Sequence, residues 1–298
     1  MINSLDISTN IWNEIGGNFC SDKWIEDNDW NKITVVDRIG SESSEGEIYR
    51  IELQGIEYAG KIMPIISDHS YEKNENEISI AKELSGNSYF PKVFAAGFCT
   101  KTKYNENSKF FEDSYKYFLF EKVCEDMNRA TKIRTKHKYK DTTVKELKKI
   151  YSEEVTIGSH VLISEIAFAD LRQICKYYYV SEKIWKEIIL RVLQGIRYLN
   201  EDKNILHGDL HCGNVLIKVD KKTSPLIHDF GKSMRTDFLT IEERTADPEK
   251  FLYDLTLHPD VPISLKEKLE EILKYIRTIT TVYPIMNDII LFCNKIFI

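Results

Sequence analysis

The chain has 298 residues, 42% hydrophobic and 30% charged, which is enough length to bury a core as one large domain or two lobes. Its formal net charge of -6 gives no case for nucleic acid, whose binders carry a basic excess, and favours solubility instead. Six cysteines lie scattered without C-x-x-C spacing, which predicts neither a disulfide framework nor a zinc site and fits a reducing compartment.

The start, MINSLDISTNIWNEIGG, lacks the basic opening and apolar run of a signal peptide, so no secretion is expected. Residues 1–30, with Trp12, Trp24 and Trp30 among polar neighbours, read as an extension packed on a first lobe. From Lys32 the segments ITVVDRIG, EIYRIEL and IEYAGKIMPI, the last two joined by a Gln54-Gly55 turn, predict a three-strand meander. Between its first two strands, the small residues from Gly40 to Gly46 could lay backbone N–H groups over phosphates. A helix is expected from about Tyr71 to Leu84. On it Glu77 shares a face with Ile80, Ala81 and Leu84, whereas Glu75 falls beside Lys82.

Phe90 to Phe94 begins another strand. Two later segments compete for the strand that leads into a second lobe, Tyr117–Val123 and His160–Ala167. The interval from Glu165 to His207 leaves room for two ordinary helices, which favours the second. Residues of about 100–158 then form an insertion, basic between Lys132 and Lys149, in which Thr143 and Glu146 make a capping box for a short helix. Ser181 to Asn200 is the strongest helix, with Ile184, Trp185, Ile188, Ile189, Val192, Leu193, Ile196 and Leu199 forming one stripe.

The segment HGDLHCGNVLI, His207 to Ile217, places Asp209 five positions before Asn214 and follows them with an apolar run. A second run, Leu226-Ile227, delivers Asp229 to Phe230-Gly231. Two short strands would thus present three oxygen ligands together. Transfer of a γ-phosphoryl group needs Mg²⁺ on hard oxygen donors and a carboxylate to position the acceptor hydroxyl. Beyond Gly231 the stretch to Pro248 reads as a polar, mobile segment, with Ala246-Asp247-Pro248-Glu249 at its end. Ser264 with Glu267 predicts the cap of a helix to about Ile276. The last apolar stretch, Ile285–Ile298, falls below the ~20 residues that span a bilayer and reads as a core-packing helix.

These motifs resemble those of the protein-kinase superfamily, whose H-R-D-x-x-x-x-N and D-F-G match His207, Asp209, Asn214 and Asp229 to Gly231. The resemblance implies an α+β, two-lobed fold. An N-lobe of antiparallel sheet plus helix would occupy residues 31–167, and a short, mainly helical C-lobe 168–298. It implies ATP and Mg²⁺ as cofactors, Asp209 as base, and Asn214 and Asp229 as metal ligands. Lys61, in Ala59-Gly60-Lys61, would contact the α- and β-phosphates with Glu77 as its partner. Ile39, Gly40, Gly46, Ile48 and Ala59 would line the nucleotide, and Glu165 and Ala167 would bond adenine with Ser164 behind them; the competing hinge is Glu121 to Val123.

The sequence departs from the pattern at three places. The glycine loop lacks its middle glycine and carries an extra residue. Gly208 replaces the arginine that holds a phosphorylated loop, so switching by loop phosphorylation is not expected. His211 stands where serine/threonine kinases carry a phosphate-neutralising lysine. The form H-G-D-L-H-x-x-N also resembles aminoglycoside and choline phosphotransferases, and haspin-like kinases share D-L-H-x-G-N. The expected activity is transfer to protein serine or threonine hydroxyls. The alternatives are a small-molecule phosphotransferase and an inactive nucleotide-binding scaffold. The implied setting is a monomer acting on a protein substrate in the cytoplasm, away from membranes. Abundant Ile, Lys and Asn, with the pared-down second lobe, suggest a viral or parasite-like genome, and a viral source would make that the host-cell cytoplasm.

Overall fold

The computed structural model describes residues 33–39, 46–65, 68–102, 157–219, 223–280 and 285–297. They form an α+β structure that divides into two compact units, one drawn from residues up to Glu75 and from Val93 to Glu165, the other from Asn76–Lys92 and from Ile166 onward. The sequence boundary at 167/168 differs from this division in two respects. The chain crosses at Glu165/Ile166, and residues 76–92 belong to the second unit.

The first unit is built on five antiparallel strands, β1 (Thr34–Ile39), β2 (Glu47–Leu53), β3 (Ile56–Ile65), β4 (Val93–Thr102) and β5 (Ile157–Glu165), in the order β1-β2-β3-β5-β4. Strands β1 to β3 are the expected meander. Gln54 and Gly55 turn the β2–β3 hairpin with positive φ values of 55° and 77°, the handedness that matches strand twist. Strand alternation sends Tyr49, Ile51, Leu53, Tyr58 and Ile62 to one side, where they pack with Ala95, Val161 and Ile163. The expected strand at His160–Ala167 is β5, which begins earlier and ends at Glu165; it lies inside the sheet, bonded on both sides. The insertion expected at about 100–158 overlaps β4 and β5 at its edges. Its interior, with the Thr143 capping box and the competing hinge at Glu121–Val123, lies outside the described residues, as do Gly40 and the N-terminal extension.

Helix α1 (Asp68–Leu84) spans the division between units. The second unit continues with β6 (Ala169–Asp170), α2 (Leu171–Tyr177), α3 (Glu182–Arg197), β7 (Ile205–Leu206), β8 (Val215–Val219), β9 (Thr223–Ile227), β10 (Met234–Arg235), α4 (Ile241–Leu257), α5 (Ile263–Ile276) and α6 (Ile285–Ile296). Helix α3 starts where Ser181 Oγ accepts from the Ile184 N–H at 3.5 Å. Its stripe is buried from Trp185 through Ile196, each large side chain contributing about 1.5–3 kcal/mol, while Ile184 stays exposed at the edge. This helix packs against β9, whose last residue, Ile227, donates its N–H to Tyr89 O at 2.8 Å.

Two local expectations are corrected. Helix α5 begins at Ile263, two residues earlier than a Ser264 cap allows. Pro262 takes the cap position, and its carbonyl accepts from the Leu265 and Lys266 N–H groups. Ala246-Asp247-Pro248-Glu249 does not end a mobile segment, for it lies inside α4. Proline there lacks the N–H that would bond the Arg244 carbonyl, and Asn200 Nδ2 takes that carbonyl at 3.3 Å instead. The stretch expected to be mobile up to Pro248 is therefore β10, a turn and the first half of α4.

Candidate active site

The first unit carries the residues proposed to meet the nucleotide. Cross-strand pairing sets Ile39 opposite Ile48, Ile48 opposite Lys61, and Lys61 opposite Leu162. Directly paired residues share a face, as do residues two apart, so Ala59 and its partner Ser164 fall on the same side. Ile39, Ile48, Ala59 and Lys61 thus line one face of the sheet, opposite the apolar cluster. Gly46 is buried before β2, where a Cβ would stand 2.6 Å from the Ile62 carbonyl oxygen, so backbone packing alone requires glycine there. Glu165 ends β5 opposite Tyr58, and Ala167 lies just beyond the crossing. Lys61 belongs to the first unit and Glu77 to the second, so each is placed within its own unit. Glu77 is 3% exposed, whereas Glu75 lies on α1 with Oε1 at 2.6 Å from Nε2 of the buried His160.

The second unit assembles the loop. Strands β8 and β9 pair in register from Val215↔Ile227 to Val219↔Thr223, so Asn214 and His228 extend the same hairpin end. The His228 N–H donates to Asn214 O at 3.1 Å, and His228 Nε2 lies 3.2 Å from Gly213 O. Asn214 Nδ2 donates to Asp209 O at 2.9 Å, which ties Asp209 to the amide five residues on. Asp229 follows with φ 66°, a left-handed conformation uncommon outside glycine and found where a site holds a side chain in a fixed place. His207 Nε2 lies 2.9 Å from His228 O, and its ring sits 5.4 Å from that of Phe230. The backbone of the loop thereby joins Asp209, Asn214 and the His228-Asp229 corner.

Sequence reasoning missed the groups that hold this loop. The Asp247 carboxylate on α4, 1% exposed, accepts from the His207 N–H at 2.7 Å and the Gly208 N–H at 3.0 Å. Burial pushes its pKa up, against the pull of those donors, His207 and Lys250. Asp254, two turns on, accepts from the Cys212 N–H at 2.8 Å. Lys232 and Lys250 reach the two oxygens of Asp209 at 2.6 and 2.5 Å. Burial pushes the Asp209 carboxyl up, but the two ammonium groups outweigh it and hold the pKa below the usual carboxylate range. Only the carboxylates' even spacing on one helix, Asp247 and Asp254 in a heptad step, offered a sequence signal.

His211 is turned to a structural task. Its Nδ1 accepts from the Gly213 N–H at 3.0 Å and faces Arg172 Nη2 at 3.4 Å. Burial lowers its pKa, with Arg172 adding to the effect against Asp209, so the ring is neutral near pH 7. The ring therefore gives no fixed positive charge. Cys212, Asp254 and His258 bring a thiol, a carboxylate and an imidazole within 4.8 Å of one another. This group is separate from the expected Asn214 and Asp229, and the Asp254 bond to Cys212 N–H accounts for its carboxylate.

The chain matches no known protein-family model, and no curated protein shows significant similarity to it. Among the described residues, no helix is long and apolar enough to cross a membrane.

Proposed function

We propose that the protein transfers the γ-phosphoryl group of ATP to an alcohol, in the manner of a serine/threonine protein kinase. The observation that carries this reading is the backbone-level joining of Asp209, Asn214 and the His228-Asp229 corner, fastened from beneath by the buried Asp247. Such a reaction needs little covalent work from the protein, and positioned oxygen donors with a carboxylate are its main requirement.

The donor set suits Mg²⁺. Asn214 commits its Nδ2 to Asp209 O, which leaves the hard amide oxygen as its acceptor, and Asp229 adds a carboxylate. Asn214 and Asp229 would hold the ion, which when bound neutralises charge on the phosphates. Asp209 would accept the hydrogen bond of the acceptor hydroxyl and take its proton as the oxygen meets phosphorus. Ile39, Ile48 and Ala59 on the sheet face would cover the nucleotide, and Lys61 on that face would meet its phosphates.

A protein acceptor is favoured by the Ala59-Gly60-Lys61 strand and D-F-G. The form His207-Gly208-Asp209-Leu210-His211 favours the second reading, a small-molecule phosphotransferase. The deciding experiment measures radiolabelled γ-phosphate transfer from ATP with Mg²⁺ to mixed protein substrates, in parallel with a panel of amino-alcohols and sugars. Label on serine or threonine is the expected result. Label on the small alcohols alone would select the second reading, and no transfer to either class would refute both.

A further inference from the structure

Asp209 is one-fifth exposed, yet both its carboxylate oxygens are taken by lysines from elsewhere in the chain, Lys232 from 23 residues on and Lys250 from 41. Two ammonium groups thus stand at the point where the acceptor hydroxyl would bind. Both lysines are set there by backbone. Lys250 lies one turn beyond Asp247 on α4, and Asp247 grips the loop through the His207 and Gly208 N–H groups. Lys232 follows the D-F-G turn. Its carbonyl oxygen would be 2.7 Å from a Cβ at position 208, where φ is 76°, so glycine at 208 lets the Lys232 backbone close on the loop. The loop's own candidate cation, His211, has Nδ1 accepting from the Gly213 N–H.

We infer that Lys232 and Lys250 form the anion subsite for the transferring phosphoryl group, replacing the lysine that position 211 lacks. The inference rests on the phosphotransferase reading. A hydroxyl bonded to Asp209 must bring its oxygen to about 3–3.5 Å from phosphorus to react. Cations touching the same carboxylate are then within reach of the phosphoryl oxygens, where charge is concentrated. In the transfer, the acceptor oxygen forms a bond to γ-phosphorus as the bond from that phosphorus to the bridging oxygen breaks. ADP keeps the bonding electron pair, and the hydroxyl proton passes to Asp209 and then to water. As the lysines turn from carboxylate to phosphoryl, they free the Asp209 oxygens for the hydroxyl, so charge neutralisation and base exposure happen in one movement.

The test is steady-state kinetics with ATP and the acceptor identified above, on the full chain. Lys250→Met and Lys232→Met should each lower kcat about 10²-fold with the KM for ATP nearly unchanged, because the contact strengthens only in the transition state. Arginine at either position should restore part of the rate. Both side chains are about half exposed, so thermal unfolding should be unchanged and would expose a folding defect. Wild-type kcat in either methionine variant, or a loss confined to the KM for ATP, overturns the subsite while leaving the phosphotransferase reading intact. Absence of transfer by the wild-type protein overturns that reading first and the subsite with it.

Discussion

The sheet face that carries Ile48, Ala59 and Lys61 and the loop that carries Asp209 and Asn214 are held in shape by different means. On the sheet, side-chain direction follows from strand alternation, and neighbours a few residues apart determine it. In the loop, the fastening carboxylates come from one helix about forty residues away, as two hydrogen bonds to the buried Asp247 and a third to Asp254. The first arrangement should absorb substitution locally, and the second should fail as a whole when one remote group is changed.

Asp209→Asn should remove the most, lowering kcat about 10³-fold or more while ATP binding by calorimetry stays near wild type. Turnover at the wild-type rate would sink the role given to Asp209. Asp247→Ala would strip two buried N–H groups of their acceptor, at about 1–3 kcal/mol each, and should lower both the urea midpoint and kcat. If only stability fell, the loop would hold its shape without α4, and the contrast between the two regions would break.

On the sheet face, Ser164 pairs directly with Ala59, and in the proposed reading these two small side chains leave room next to adenine. ATP analogues with bulky N6 groups should serve as donors to the wild-type protein. Ser164→Phe should cut their use about 10–100-fold while sparing ATP, with unfolding unchanged. Rejection of the analogues by the wild-type protein would move the hinge to Glu121–Val123. Gly208→Ala is smaller in energy but reaches further. It should cost about 1–2 kcal/mol for the left-handed backbone, and the push against the Lys232 carbonyl should add a fall in kcat. A stability loss with kcat intact would count against the closeness of these two segments.

The smallest effect concerns pH. Burial lowers the pKa of His160, with Glu75 acting in the opposite direction. A folded pKa below the unfolded one means the unfolded chain binds the proton first. Stability is therefore full above the ordinary histidine range and declines as pH falls through that range toward the folded value. Urea midpoints at pH 7.5 and about 5.5 should differ more for wild type than for His160→Gln. Equal shifts would show that His160 does not set the acid limb.

The same contrast explains what could be read in advance. The meander, the long helix α3 and the β8–β9 hairpin are each specified by runs of near neighbours, so pattern alone revealed them. Asp247, Lys232 and Lys250 look like ordinary polar residues in sequence, and only the folded chain brings them to the loop. Pro248 misled for a related reason. Its usual meaning is local, but in α4 the carbonyl it leaves vacant is satisfied by Asn200 from another element.

That vacant carbonyl also fixes a register. Every other turn in the middle of a helix presents closed hydrogen bonds to its neighbours, so an adjoining helix can slide by a turn and find the same polar landscape. Pro248 marks one rung of α4 as open, and the buried Asn200, just past the end of α3, is the amide that fits it. Slippage by a turn would leave both the amide and the carbonyl without a mate in a dry interior. The alignment that seats Asn200 is also the one that presents Asp247, the residue before the proline, to the His207 and Gly208 N–H groups. A residue that weakens its own helix thus acts as an indexing notch for the loop that carries Asp209.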